Sequence, residues 1–67
     1  MMAKGYGKAV RDVLGKHGWV FDRRGKGDHD VWRDPVTNHT VGVDRVIPSR
    51  HTANEVLKQA NLKYRFR

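Results

Sequence analysis

No cysteine occurs in this chain of 67 residues, so no disulfide can brace the fold, and packing or a partner must stabilise it. A domain of this size buries only about 60% of the surface that its unfolded chain exposes. With 37% hydrophobic and 9% aromatic residues, the chain can form one thin two-layer core, and we expect a single domain over residues 1–67. Such a core leaves no room for a deep cavity. Any active site is therefore expected to be shallow and to lie on the surface.

Charge narrows the choice of partner. The formal net charge is +7, from 14 lysines and arginines against 7 acidic residues, and the basic residues recur along the whole chain. This balance favours a polyanionic partner, of which nucleic acid is the commonest. An anionic membrane surface or an acidic protein would satisfy the same charge. The N-terminus lacks the apolar run of a secretory signal or membrane span, so we expect a cytoplasmic protein with no membrane partner.

Hydrophobic spacing predicts a helix, three strands and a second helix. After a lead-in over residues 1–7 that we expect to fray, an amphipathic helix begins near Tyr6 and ends near His17, with Gly18 as its C-cap. The strands are predicted at residues 19–23, 28–33 and 40–43.

The second helix is predicted over residues 53–60. Thr52 and Glu55 have the spacing of a capping box at its start. Asn61 can cap its end, and Leu62 is placed to pack behind it.

The apolar faces determine the predicted architecture. Two amphipathic helices and one small sheet can bury these faces together only if both helices lie on the same side of the sheet. The fold class is therefore α+β, with a three-stranded antiparallel sheet whose other face is exposed to solvent. The basic tail over residues 63–67 is expected to be an extra edge strand or disordered.

His29 is the residue that could carry chemistry. It opens the second predicted strand directly after a basic turn. Imidazole changes protonation near neutral pH, so it can deprotonate a ribose 2′-hydroxyl or protonate a leaving 5′-oxygen, which is the proton transfer that RNA cleavage without a metal needs. A polar surface histidine with no catalytic role remains the alternative.

The turn before His29 combines charge with backbone freedom. Gly25 and Gly27 let the chain bend tightly and come close to a phosphate. No Walker or dinucleotide fingerprint is present, so no nucleotide cofactor is expected. An ordinary hairpin turn with solvated charges explains the same residues. The basic side chains that could bind nucleic acid here are Arg23, Arg24 and Lys26, with Arg33 at the end of the second strand.

The remaining histidines and the tryptophans give weaker signals. His17, His39 and His51 have no metal-ligand spacing on any one element, so no zinc site is expected. Trp19 and Trp32 could stack on bases, but in a sheet of so small a domain they are predicted to be packing residues.

The chain resembles the HicA family of toxins from bacterial and archaeal toxin–antitoxin pairs, over residues 10–62. The resemblance rests on four motifs in the family's order, with almost no gaps. They are Gly18-Trp19 at the entry to the first strand, Gly27-Asp28-His29 at the histidine step, Val46-Ile47-Pro48 at the exit from the sheet, and Leu57-Lys58-Gln59-Ala60-Asn61-Leu62 at the end of the second helix.

The resemblance implies a double-stranded-RNA-binding-domain-like fold and metal-independent cleavage of mRNA. It also implies neutralisation by a HicB-type antitoxin that covers the active site, and it places the family's catalytic histidine at His29. Two positions depart from the family pattern. Asp28 stands where the family usually has serine, which sets a carboxylate beside the histidine. Asn61 replaces glycine, a harmless change because asparagine also tolerates the left-handed conformation.

Two other functions remain as alternatives. A binding-only module would hold double-stranded RNA through phosphate and 2′-hydroxyl contacts, using basic residues of the second helix such as Lys58 and Lys63. A DNA-binding antitoxin or repressor would need a helix pair joined by a short turn, which this chain lacks.

Overall fold

The computed structural model describes residues 5–67, so the expected fraying of residues 1–4 lies outside the described residues. For residues 5–7 that expectation is wrong, because the Tyr6 N–H donates to the Ile47 carbonyl at 2.7 Å and the buried Gly7 begins the first helix. Its three strands form one antiparallel sheet in the order β1-β2-β3. The predicted α-β-β-β-α order and the α+β class are confirmed. The elements are α1 (Gly7–Lys16), β1 (Val20–Arg24), β2 (His29–Arg33), β3 (Thr40–Asp44) and α2 (Arg50–Gln59).

The end of α1 is fixed by a left-handed glycine. Gly18 has a φ of +90°, which lets the chain reverse without a Cβ clash. The Trp19 N–H then donates to the Leu14 carbonyl, with N and O 2.9 Å apart, and both side chains are buried in the core. This is the Schellman arrangement, in which a hydrophobic contact accompanies the reversal. The predicted end of α1 near His17 is confirmed, with His17 as the C-cap residue and Gly18 as the left-handed residue that follows it.

The ends of α2 differ in how well local sequence signals predicted them. Asn61 has a φ of +61° and Leu62 donates its N–H to Leu57 at 3.0 Å, as its predicted capping role requires. The predicted capping box at the start is wrong. Ser49 is the N-cap, its hydroxyl accepting from the Thr52 N–H at 3.1 Å, so the helix begins at Arg50. Ser49 has the extended backbone that an N-cap needs, whereas Thr52 already lies inside the first turn.

The hydrophobic core lies between the sheet and the two helices. On β3, Val41 and Val43 are buried and alternate with exposed neighbours, and both α1 and α2 contact this strand. The prediction that both helices cover one sheet face is confirmed. Both tryptophans are packing residues, as predicted: Trp19 is buried, and the half-buried Trp32 packs against the core and meets Phe21 edge to face.

The C-terminal segment over residues 62–67 is neither the predicted edge strand nor a disordered tail. The Asn54 side chain holds both backbone polar groups of Phe66: Nδ2 donates to the carbonyl at 3.1 Å, and Oδ1 accepts from the N–H at 2.8 Å. The Phe66 ring packs on Tyr6, with ring centroids 5.2 Å apart. This ring contact and the amide clamp place the segment against the helices, away from the sheet edge.

Candidate active site on the open sheet face

His29 lies on the face of the sheet that the helices leave uncovered. Its neighbour Asp30 is paired with the buried Val43, so Asp30 shares the helix side of the sheet. Side chains alternate between the two faces of a strand, which places His29 on the opposite side. Its side chain is 43% exposed. The imidazole is therefore accessible to a large ligand.

Two glycines flank the imidazole ring, and Gly25 makes room for it. A Cβ added at Gly25 would lie 3.0 Å from Cδ2 of His29 and 3.2 Å from its carbonyl oxygen. A Cβ at Gly42, on the neighbouring strand, would lie 3.8 Å from the same Cδ2 atom, which is ordinary contact. The Gly25 N–H also donates to the His29 carbonyl, with N and O 2.9 Å apart. Gly25 was expected to serve backbone bending; here it leaves space for the histidine side chain.

Asp44 faces the other edge of the ring. It is the register partner of His29 on β3, and its Oδ1 lies 3.7 Å from Nδ1 of His29. This separation is longer than a hydrogen bond but within reach of an ion pair. Because Nδ1 faces β3, the Cδ2 and Nε2 atoms are directed toward Gly25 and the β1–β2 turn.

Asp44 was not among the residues predicted for the site. Its position follows from the antiparallel pairing of β2 with β3. Arg33 pairs with Thr40, and moving back along β2 while moving forward along β3 brings His29 opposite Asp44. Finding Asp44 from the sequence requires the register between the two strands, and a search for motifs does not use that register.

A β-bulge in β1 decides which arginine accompanies His29. The pairing shifts between Phe21 and Arg23, so that Asp22 is an extra residue and Arg23 stands opposite Val31. Val31 follows His29 by two residues on the open face, so Arg23 lies on that face as its diagonal neighbour. The Arg23 side chain is 66% exposed and forms an ion pair with Asp22.

Arg24 is turned to the opposite side of the sheet. It pairs with Asp30, with Nε 3.9 Å from Oδ1, and Asp30 itself is only 15% exposed. Arg24, predicted to bind nucleic acid, is thus directed to the opposite face of the sheet from His29. Its charge is directed to the carboxylate on the helix side.

The other predicted binding residues lie at the two ends of β2. Lys26 and Gly27 are exposed in the turn over residues 25–28, and Gly27 has a φ of +67°. Arg33 shares the open face but stands four residues along the strand from His29, about 13 Å at the usual rise per residue. The structure therefore brings the turn and Arg23 near the histidine and sets Arg33 at the far end of the same face.

Two further findings concern the described residues as a group. Across residues 5–67, no cluster of three or more histidine, aspartate or glutamate side chains could hold a metal ion. In the same part of the chain, neither helix has the length and apolar character needed to cross a bilayer.

These elements define a small basic domain in which two helices back a three-stranded sheet, with a half-exposed histidine on the open face. A family model described as the HicA toxin of bacterial toxin–antitoxin matches residues 7–62. The chain belongs to the HicA toxin family, as the motif resemblance predicted. Membership makes it a toxin domain of a toxin–antitoxin pair and implies an antitoxin partner. No curated protein and no solved structure gives a significant match.

Proposed function

We propose that this protein is an endoribonuclease that cleaves mRNA without a metal ion, with His29 as the general acid or base. The observation that carries the proposal is the position of the imidazole: it stands open on the uncovered sheet face, between two glycines and beside a basic turn. A histidine that served only packing would have no need of this access. Membership of a toxin family supports the same function.

The proposed reaction is attack of a ribose 2′-oxygen on the adjacent phosphorus. The O2′–P bond forms, the P–O5′ bond breaks, and the 5′-oxygen leaves with a proton. His29 either accepts the proton of the 2′-hydroxyl or donates one to the leaving oxygen, through the Nε2 atom that is directed toward the turn, and water exchanges the other proton. Arg23 and Lys26 are proposed to hold the phosphate, since Arg23 is an exposed diagonal neighbour of His29 on the open face and Lys26 is exposed in the adjoining turn.

Asp44 is proposed to orient the ring. A carboxylate that faces Nδ1 favours the ring orientation in which Nε2 points to the substrate, as in other histidine–carboxylate pairs. Asp44 contacts no substrate atom in this proposal, so it is a positioning residue. Gly27 contributes the left-handed turn that precedes the histidine, and Arg33 is proposed to contact a phosphate further along the strand.

A HicB-type antitoxin is proposed to neutralise the toxin by covering His29 and its basic rim. The open face combines the cations with apolar side chains: Val20, which is paired with Arg33, is 40% exposed, and Val31 lies between Arg33 and His29 along β2. A protein partner can bury these valines and neutralise the arginines in one contact, which favours an acidic antitoxin surface.

The direct test is cleavage of an RNA by the purified protein in the presence of a chelator, with His29→Ala as the test variant. We expect the variant to lose about 10²-fold or more in rate, which is the usual contribution of a general acid or base, while it keeps its circular dichroism spectrum. His17→Ala is the matched control, because His17 is an exposed histidine at the end of α1. Cleavage by His29→Ala at the parental rate would refute the mechanism, and RNA binding with no cleavage by the parent would favour the binding-only module.

A further inference from the structure

A second surface, separate from the sheet, lies between α2 and the C-terminal segment. A groove of about 410 Å³ is lined by residues of α2 and by residues 62–65, and none of its lining residues belongs to a strand. A neighbouring groove of about 480 Å³ shares Asn54 and Arg65 with it. Both grooves border on the Asn54 clamp. Because the helices lie on one side of the sheet and His29 on the other, this surface is distinct from the proposed active site.

The groove is strongly basic. Five cationic side chains line the two connected grooves, and Glu55 is the one carboxylate side chain among the lining residues. Within residues 5–67, none of these cations takes part in an ion pair. A cluster of cations without ion-pair partners favours the binding of a polyanion. The cations are Arg50, Lys58, Lys63, Arg65 and Arg67.

The clamp fixes the geometry of this cluster. Asn54 holds Phe66 through two hydrogen bonds, so the cations on either side of Phe66 are presented from a positioned backbone and not from a free tail. A preorganised set of charges loses less conformational entropy when a ligand binds. The Phe66 ring, packed on Tyr6, is a second anchor of the segment.

An exposed aromatic ring completes the groove. Tyr64 lines it and is 47% exposed, and its ring meets Phe66 edge to face with centroids 5.3 Å apart. The ring is thus supported at one edge while much of its surface remains open. Cations that follow a backbone, together with an open aromatic ring, are the features of sites for single-stranded nucleic acid, in which a base stacks on the ring.

We propose that this groove is a second RNA-binding surface, which holds the phosphate backbone of single-stranded RNA through Lys58, Lys63 and Arg65 and stacks a base on Tyr64. The inference rests on the proposed function insofar as RNA is the substrate. It adds that a long RNA is held at two places, the open sheet face and the α2 groove, whereas a short oligonucleotide occupies the active site alone.

The binding test uses a 2′-O-methyl RNA, which lacks the attacking hydroxyl, and measures fluorescence anisotropy over a range of salt concentrations. Lys58→Ala/Lys63→Ala is expected to weaken binding about tenfold and to lower the salt slope by roughly 1.4, since each phosphate contact on a single strand contributes about 0.7. Lys8→Ala/Lys16→Ala removes the same charge from α1 and should change affinity less than twofold. Tyr64→Ala should weaken binding without changing the salt slope.

A cleavage assay separates this surface from the chemistry. On a long RNA, Lys58→Ala/Lys63→Ala should raise KM with kcat unchanged; on a tetranucleotide it should change neither. Equal losses for the two lysine pairs would overturn the proposal, because the effect would then be net charge alone. Unchanged RNA affinity with weakened antitoxin binding would also overturn it and assign the groove to an acidic protein. If His29→Ala still cleaves but the groove variant binds RNA weakly, the proposed catalytic function fails and the groove stands.

Discussion

His29 and Asp44 lie directly opposite each other at the adjoining ends of β2 and β3, with Nδ1 of the imidazole 3.7 Å from the nearer carboxylate oxygen. The sheet register creates this pair, because the two residues are 15 positions apart in the chain, from 29 to 44. The carboxylate is 64% exposed, so water competes for it. Its proposed contribution is to orient the ring.

Asp44→Asn should therefore lower kcat for RNA cleavage by roughly tenfold, well short of the ~10⁴-fold loss that follows when the buried carboxylate of a catalytic triad is converted to the amide. The amide keeps the shape and removes the charge. Steady-state kinetics over a range of pH would measure the effect, and a merely structural role would leave the shape of the pH profile unchanged. Asp12→Asn, at an exposed position of α1, is the control that should leave cleavage intact.

Gly25→Ala should displace the imidazole. The added methyl group would stand 3.0 Å from Cδ2 of His29 and 3.2 Å from its carbonyl oxygen, so the ring and the backbone of the hairpin must give by a few tenths of an ångström. We expect a loss of about 1–3 kcal/mol in the free energy of unfolding, together with a fall in kcat.

Gly15→Ala is the matched control for this substitution. Nothing lies within 4 Å of a Cβ at Gly15, which is in α1, so alanine should stabilise the helix by about 0.5–1 kcal/mol and leave cleavage unchanged. Thermal denaturation and a cleavage assay on both variants would check the pair. A Gly25→Ala protein with full activity would contradict the role given to this glycine.

The start of α2 offers a test of the capping assignment. Ser49→Ala removes the oxygen that accepts from the Thr52 N–H and should cost about 1 kcal/mol of stability. Glu55→Ala should cost much less, because Glu55 makes no capping contact among the hydrogen bonds of residues 5–67. Urea denaturation would measure both. A larger loss for Glu55→Ala would restore the capping box that the local sequence suggested.

Asn54→Ala should release the C-terminal segment without unfolding the domain. The substitution removes two hydrogen bonds to Phe66, worth about 0.5–1.5 kcal/mol each. Hydrogen exchange would show faster exchange at the Phe66 amide, whereas core amides such as that of Val43 should keep their protection. Unchanged protection at Phe66 would mean that its ring contact alone holds the segment.

Local signals in the sequence predicted the helices and strands well. They predicted some helix ends correctly and missed others. Gly18 and Asn61 were predicted as helix ends, because a left-handed residue after an amphipathic run is recognisable without knowledge of the fold. Ser49 was overlooked because Thr52 and Glu55 offered a competing pattern of equal local quality. The structure decides in favour of Ser49, which has the extended backbone of an N-cap and accepts from the Thr52 N–H.

Of the candidate site, the sequence predicted the histidine but not the arrangement of the residues around it. His29 follows from a motif, but its neighbours follow from register and from the faces of the sheet. Arg23 and Arg24 are adjacent in sequence and equivalent in composition, and the structure directs them to opposite sides. Asp44 joins the site from another strand. These relationships arise from pairing between distant segments, which spacing along one segment does not encode.

The extra residue at Asp22 has a consequence for how this domain can vary. Since the bulge takes Asp22 out of the ladder, a chain lacking it would regain regular pairing from Phe21 onward with Arg23 still opposite Val31. Loss of one residue from the loop between Arg24 and His29 would instead change the hairpin connection on which the pairing of the two strands depends. Homologous toxins should therefore tolerate length differences in the first half of β1 and resist them in the hairpin that follows.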